Sequence, residues 1–223
     1  MSGLSLSTKP YDQEAEKMTE RTPVDLWFDP FCPFAWMTSR WLLEVEKVRP
    51  IEPRWHIMSL NVLNEDKEVP DSYREMIAKA IGPVRVVTAV QEKYDSETVG
   101  RLYTELGTRF HNQGRVKELD TLRETVEEAL EAAGLDRTFA DAMDSTEFDE
   151  ALRASHNDGI ERVGQEVGTP VISVEGVAFF GPVISPAPKG EDAGKLWDGV
   201  RLVAATDGFF ELKRSRDRRP IFD

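Results

Sequence analysis

The chain has 223 residues, 40% of them hydrophobic and 31% charged, enough for one domain with a sizeable core or one domain carrying an insertion. Forty-one acids against 28 lysines and arginines leave a net charge of −13, which would repel a phosphate backbone and disfavours a broad nucleic-acid surface. One cysteine excludes an internal disulfide and, with three separated histidines, a Cys/His zinc cluster; no apolar run approaches the ~18–20 residues that a membrane helix needs.

The start, Met1-Ser-Gly-Leu-Ser-Leu-Ser-Thr-Lys9, has no charged n-region or continuous apolar h-region, so the expected compartment is the reducing cytoplasm. Residues 1–22 read as a polar tail. Val24-Asp-Leu-Trp-Phe28 reads as a strand stopped by Asp29-Pro30. Pro33 suits the first turn of a helix, along which Met37, Trp41, Leu42, Val45 and Val48 recur until Pro50. Arg54-Trp-His-Ile-Met58 reads as a second strand, completing a β-α-β unit with Cys32 at the strand-to-helix turn.

Helical patterns follow over 71–94, 96–110 and 119–133, the last with a Leu119, Leu122, Val126, Leu130 stripe and Gly134 as cap. Residues 117–150 hold twelve acids against three basic residues, a net of −9 that reads as a solvated helix face. A further helix is expected from Ser145-Thr146, carrying Phe148, Leu152, Ile160, Val163 and Val167 before Gly168. Val171–Val174 and Val177–Phe180 around Glu175-Gly176 read as a hairpin, and 195–206 as a closing helix. Lys213–Arg219 carries five basic residues in seven and reads as a frayed tail. This order is that of an α/β thioredoxin-like fold, with residues 23–60 and 156–212 as the thioredoxin-like domain, 61–155 as a helical insertion and 213–223 as a C-terminal tail.

Cys32 is the candidate nucleophile. At the first turn of a helix it meets unpaired N–H groups and the positive end of the macrodipole, so its pKa is expected below the ordinary ~8.5. Gly168-Thr169-Pro170 precedes a strand; a cis Thr169–Pro170 bond would turn the Thr169 amide and carbonyl toward a ligand lying across Cys32. Phe34 and Trp36 flank the cysteine and offer an apolar platform for an aromatic substrate, although Trp36 fits a core role as well. His56, His111 and His156 read as structural.

Phe28-Asp-Pro-Phe-Cys32-Pro-Phe-Ala-Trp36 with Val167-Gly-Thr-Pro-Val171 resembles the DsbA-like branch of the thioredoxin superfamily. Met58–Glu65, His111-Asn-Gln113, Ser155-His156 and Gly176–Pro182 resemble, more narrowly, the actinobacterial mycothiol-dependent reductases, some of which act on nitro compounds. The resemblance implies a low-molecular-weight thiol (mycothiol or similar) as co-substrate, no tightly bound cofactor, no metal, and Asn64 and Tyr73 lining the thiol and substrate pocket. Where the family has Cys-Pro-x-Cys this chain has Cys32-Pro33-Phe34-Ala35, so the resolving sulfur is missing and a monothiol cycle on small electrophilic, oxidised or disulfide substrates is implied. Two alternatives stand beside it: a kappa-class-like thiol transferase or isomerase, and a redox-dead binding module.

Overall fold

A computed structural model describes residues 21–222; the tail expected over residues 1–22 lies outside the described residues except for Arg21 and Thr22. The alternation read from the sequence becomes β1 (Thr22–Phe28), the second strand of a four-stranded sheet ordered β2-β1-β3-β4. Its parallel neighbour β2 (Ile51–Ile57) runs from Thr22↔Ile51 to Phe28↔Ile57. A parallel pair needs a crossover, which α1 (Pro33–Glu46) supplies. β2 starts three residues earlier than expected and takes Pro53 within it, which an edge strand tolerates. On the other side β3 (Val171–Val174) pairs antiparallel with β1, and β4 (Val177–Phe180) closes the hairpin. Glu175 and Gly176 both have positive φ, 52° and 85°, as the tight primed turns that join twisted strands require.

The pleat divides the core. Val24, Leu26 and Phe28 face α1 and the larger cluster, while Trp27 turns to the other side with Met58, Ile160 and Val171. α7 (Gly190–Ala204) lies on α1, where the Trp41 indole donates to the Ala193 carbonyl at 3.1 Å and Arg49 spans Glu191 and Asp198. It opens five residues earlier than expected; Gly190 hides the start in the sequence, and Glu191 and Asp192 suit the positive end of the dipole.

Between β2 and β3 the chain is helical: α2 (Leu60–Leu63), α3 (Asp71–Gln91), α4 (Ser96–Gly107), α5 (Leu122–Ala132) and α6 (Asp149–Glu161), with a π turn over Thr108–Asn112 and 3-10 segments over Arg115–Lys117, Leu119–Thr121 and Arg137–Asp144. The stripe expected on α5 is present, with Leu122, Val126 and Leu130 buried and Leu119 in the turn before it. α6 stops at Glu161, short of the expected Val167. Gly164 takes φ 90° and its N–H caps the Ile160 carbonyl at 2.8 Å, so Val163 and Val167 continue the packing outside the helix.

α4 is laid against the rest by two glycines one heptad apart. A Cβ on Gly100 would come within 2.4 Å of the Trp55 indole, and one on Gly107 within 2.2 Å of Trp36. Tyr103, between them, stacks on Phe28 of β1 at 3.7 Å. Gly107→Ala must therefore move Trp36, a residue of the Cys32 helix itself, and is expected to lower stability by about 1–3 kcal/mol. Gly199→Ala in α7, where a Cβ meets nothing within 4 Å, should instead raise it by about 0.5–1 kcal/mol. Urea midpoints at constant slope measure both, and a Gly107→Ala protein as stable as the parent would contradict this packing.

Candidate active site

The loop Asp29–Cys32 leaves the end of β1 and is tied down from three directions. Within the loop, the Cys32 N–H donates to the Asp29 carbonyl at 2.9 Å. The fully buried Asp29 carboxyl accepts the Phe31 N–H at 2.8 Å on one oxygen and the Leu60 N–H, from the start of α2, at 2.7 Å on the other. From the helical region, His111 Nε2 lies 2.9 Å from the Pro30 carbonyl, which fixes that nitrogen as the donor.

Pro33 occupies the first turn of α1, which makes Cys32 the N-cap residue in extended backbone, its sulfur accepting the Ala35 N–H at 3.5 Å. The thiol in turn donates to the Thr169 carbonyl at 3.4 Å, across 137 positions of sequence. Thr169–Pro170 is cis, and the Thr169 hydroxyl donates to the Trp27 carbonyl at 3.0 Å, anchoring this turn to β1. The two motifs separated in the sequence thus meet at one sulfur.

Of the other residues singled out, Phe34 is half-buried beside Cys32. Tyr73 is half-buried on α3, with its phenol pushed up by burial and then by the negative charges of Asp29 and Cys32. Asn64 ends α2, its amide donating to the Leu60 carbonyl at 2.7 Å. Trp36 falls on the core side of its two roles: it is 3% exposed, its indole donates to Asn112 Oδ1 at 3.1 Å, and Arg40 lies over its ring. The histidines are structural here. His156 accepts the Ser59 N–H at 3.3 Å, and His56 Nε2 sits 2.7 Å from Asp25; burial pushes His111 and His156 down to about 4.

Two residues beside the sulfur were not read from the sequence as part of the site. Asp29 looked like strand punctuation; its full burial and its two hydrogen bonds to the Phe31 and Leu60 N–H groups give it weight. Arg216 sits in the segment expected to fray; its guanidinium lies over the Phe34 ring, 4.8 Å from the centroid.

The expected acidity of Cys32 is corrected by this geometry. Burial pushes its thiol up to about 11, and the Asp29 carboxylate adds to the rise, outweighing the Ala35 and Phe34 N–H groups and the Arg216 charge that lower it. Long N–H contacts at a helix terminus offset only part of the loss of hydration when Cys32 is 7% exposed. Asp29 itself is raised to about 6 by burial, against the two N–H groups that favour its anion. At pH 7 Cys32 is therefore predominantly the protonated thiol. Alkylation of the free protein by a neutral haloacetamide should be slower than that of a free thiol at pH 7 and still climbing at pH 10. A plateau reached below about pH 8.5 would show that the helix terminus wins over burial.

A family model described as mycothiol-dependent nitroreductase Rv2466c (Rv2466c-like) matches residues 31–214. The uncharacterized protein Rv2286c of Mycobacterium tuberculosis is 27% identical over 197 residues, covering 87% of this chain and 83% of that protein. Among solved structures, 2-hydroxychromene-2-carboxylate isomerase superposes with a TM-score of 0.54 at 15% identity, over 80% of this chain and 94% of the isomerase. The cytosolic disulfide reductase DsbM from Pseudomonas aeruginosa, solved with GSH, superposes with a TM-score of 0.50 at 17% identity, over 81% and 99%. These two likenesses establish the DsbA-like thioredoxin fold with its inserted helices. With most of its length inside the family match and its one thiol at the strand-to-helix turn, the chain is an oxidoreductase belonging to the Rv2466c-like family of mycothiol-dependent nitroreductases, with Ala35 in place of the second active-site cysteine.

Proposed function

We propose that the protein is a mycothiol-dependent reductase that works by a one-cysteine cycle at Cys32 in the reducing cytoplasm. The observation that carries this reading is the sole thiol capping α1, in contact with the carbonyl before cis Pro170, with Ala35 one turn along. The Cys32 thiolate attacks one sulfur of a disulfide substrate. The substrate S–S bond breaks, its other half leaves as a thiolate and takes a proton, and a mixed disulfide remains on Cys32. The thiolate of mycothiol then attacks the substrate sulfur, releasing Cys32 and a small-molecule disulfide. Ala35 and Phe34 N–H groups hold the anion, Thr169 and Pro170 align the sulfur chain, Phe34 and Tyr73 face the substrate, and Asn64 closes α2 beside the thiol site. Pro33 sets the helix start. In this reading 23–60 with 156–212 form the catalytic unit, 61–155 the helical insertion and 213–223 an appended segment.

A high thiol pKa leaves little thiolate, but each thiolate is more nucleophilic. With a Brønsted slope of about 0.4–0.5, the loss of rate is roughly half, on a logarithmic scale, of the loss of anion.

The protonated, donating thiol also favours a second reading, the kappa-like transferase, in which bound mycothiol attacks an electrophile and the Cys32 S–H only donates a hydrogen bond. Cys32→Ser separates the two, because a hydroxyl keeps the donor and loses the nucleophile. We expect intact mass after exposure to oxidised mycothiol or glutathione to show one adduct on the parent and none on Cys32→Ser, with turnover abolished in the variant. Turnover retained by Cys32→Ser would establish the transferase, and neither adduct nor turnover in the parent would leave a binding module.

Ala35 is fully buried with its N–H aimed at the Cys32 sulfur. Ala35→Cys should place a thiol three positions on, at the Cα separation of roughly 5–6 Å that disulfides use. An intramolecular disulfide and a shorter-lived adduct under limiting free thiol are the expected outcome by mass spectrometry. Equal adduct lifetimes in the two proteins would show that residue 35 does not resolve the adduct.

A further inference from the structure

We propose that Arg216, held over Phe34 by the C-terminal segment, is a specificity residue that selects substrates bringing an anionic group, such as a ring carboxylate, to Cys32. This rests on Cys32 being the nucleophile of the cycle above.

The segment that carries Arg216 is docked at defined points. Ser185 Oγ donates to the Arg219 carbonyl at 3.3 Å and accepts the Ile221 N–H at 2.9 Å. Phe222 then packs against the His111 ring, with centroids 5.4 Å apart. His111 is the side chain that donates to Pro30 in the cysteine loop, so the segment is fastened to the loop that presents the thiol. Arg216 lies upstream of these anchors and its guanidinium is laid on Phe34, two residues from Cys32. The family match ends at residue 214, so this device lies beyond the part of the chain shared with the family model.

The state of the guanidinium indicates what it is for. Most arginines of this acidic protein pair with carboxylates, as Arg49, Arg85, Arg123 and Arg153 do. Among the described residues no carboxylate pairs with Arg216; even its neighbour Asp217 pairs with Arg218 instead, at 3.1 Å. A guanidinium lying on an aromatic face is held through that face and keeps its in-plane N–H groups for a planar oxyanion, which they match two by two. The Arg216 charge also lowers the Cys32 thiol, by less than burial, Asp29 or the Ala35 and Phe34 N–H groups shift it. An aromatic substrate seated along Phe34 and Tyr73 with its reacting sulfur at Cys32 would present a ring substituent to that fork.

The test compares two aromatic disulfides, the carboxylated dithiobis-nitrobenzoate and the neutral dithiodipyridine, by release of the coloured thiolate or thione. Cys32 attacks one sulfur of each and the other aromatic half leaves, so both probes meet the same nucleophile. The ratio of their rate constants therefore cancels any change in thiol acidity. In Arg216→Gln the ratio of carboxylated to neutral should fall about three- to fivefold, and further in Arg216→Glu, as expected for one exposed charge beside an anion. About 0.5 M salt should shrink the parent ratio toward that of the Gln variant. A ratio unchanged within twofold in Arg216→Gln overturns the assignment of Arg216 while leaving the Cys32 cycle intact. Failure of the parent to release chromophore from either probe overturns the cycle and this inference together.

Discussion

The geometry of the thiol site depends on one buried carboxyl. Asp29 gives one oxygen to Phe31 and the other to Leu60, so a single side chain fixes the cysteine loop and ties it to the first turn after β2. Both N–H groups would otherwise be orphaned donors beside a packed core, where each would cost about 1–3 kcal/mol. The same carboxyl sets a conflict. Its anion is what those N–H groups favour, yet that anion opposes a second negative charge on the sulfur nearby. The cysteine loop is tied down here at the expense of thiol acidity.

The helical region constrains the site from behind. Gly107 allows α4 to approach the Trp36 ring, Trp36 reaches Asn112 in the π turn, and His111 in the same turn holds Pro30. A π turn adds a residue to the helical repeat and here presents His111 and Asn112 together toward the cysteine loop and α1. The wall of the site is therefore made of long-range contacts between α1 and the end of α4. Substitutions far from the sulfur in sequence should reach it through this wall.

What the sequence disclosed was local. The strand before Asp29-Pro30, the helix opened by Pro33, the Glu175-Gly176 hairpin and the stripe on α5 each follow from rules spanning a few residues, and each is present. The meeting of Cys32 with Thr169–Pro170 was legible through two motifs read together with a family resemblance. What it withheld was tertiary. Gly164 ends α6 although the apolar period runs on, the 3-10 turn over 137–144 has no strong local signal, and the acidity of Cys32 depends on burial that no spacing encodes. The basic C-terminal run looked frayed by composition, because its anchors, Ser185 and His111, lie 34 positions or more away.

A basic thiol and a missing partner sulfur fit together. In thiol–disulfide exchange a high-pKa sulfur is a reluctant leaving group, so a mixed disulfide on Cys32 is slow to be displaced and is favoured at equilibrium over one on a more acidic thiol. A second cysteine at position 35 would remove such an adduct by an intramolecular step with a high effective concentration. With Ala35 only an external thiol can do so, and it must reach a residue that is 7% exposed, its sulfur held against the Thr169 carbonyl. In the proposed cycle burial thus acts twice: it withholds the thiolate before reaction and shelters the adduct afterwards. Control of turnover passes from the chemistry of the sulfur to whatever small thiol fits the opening.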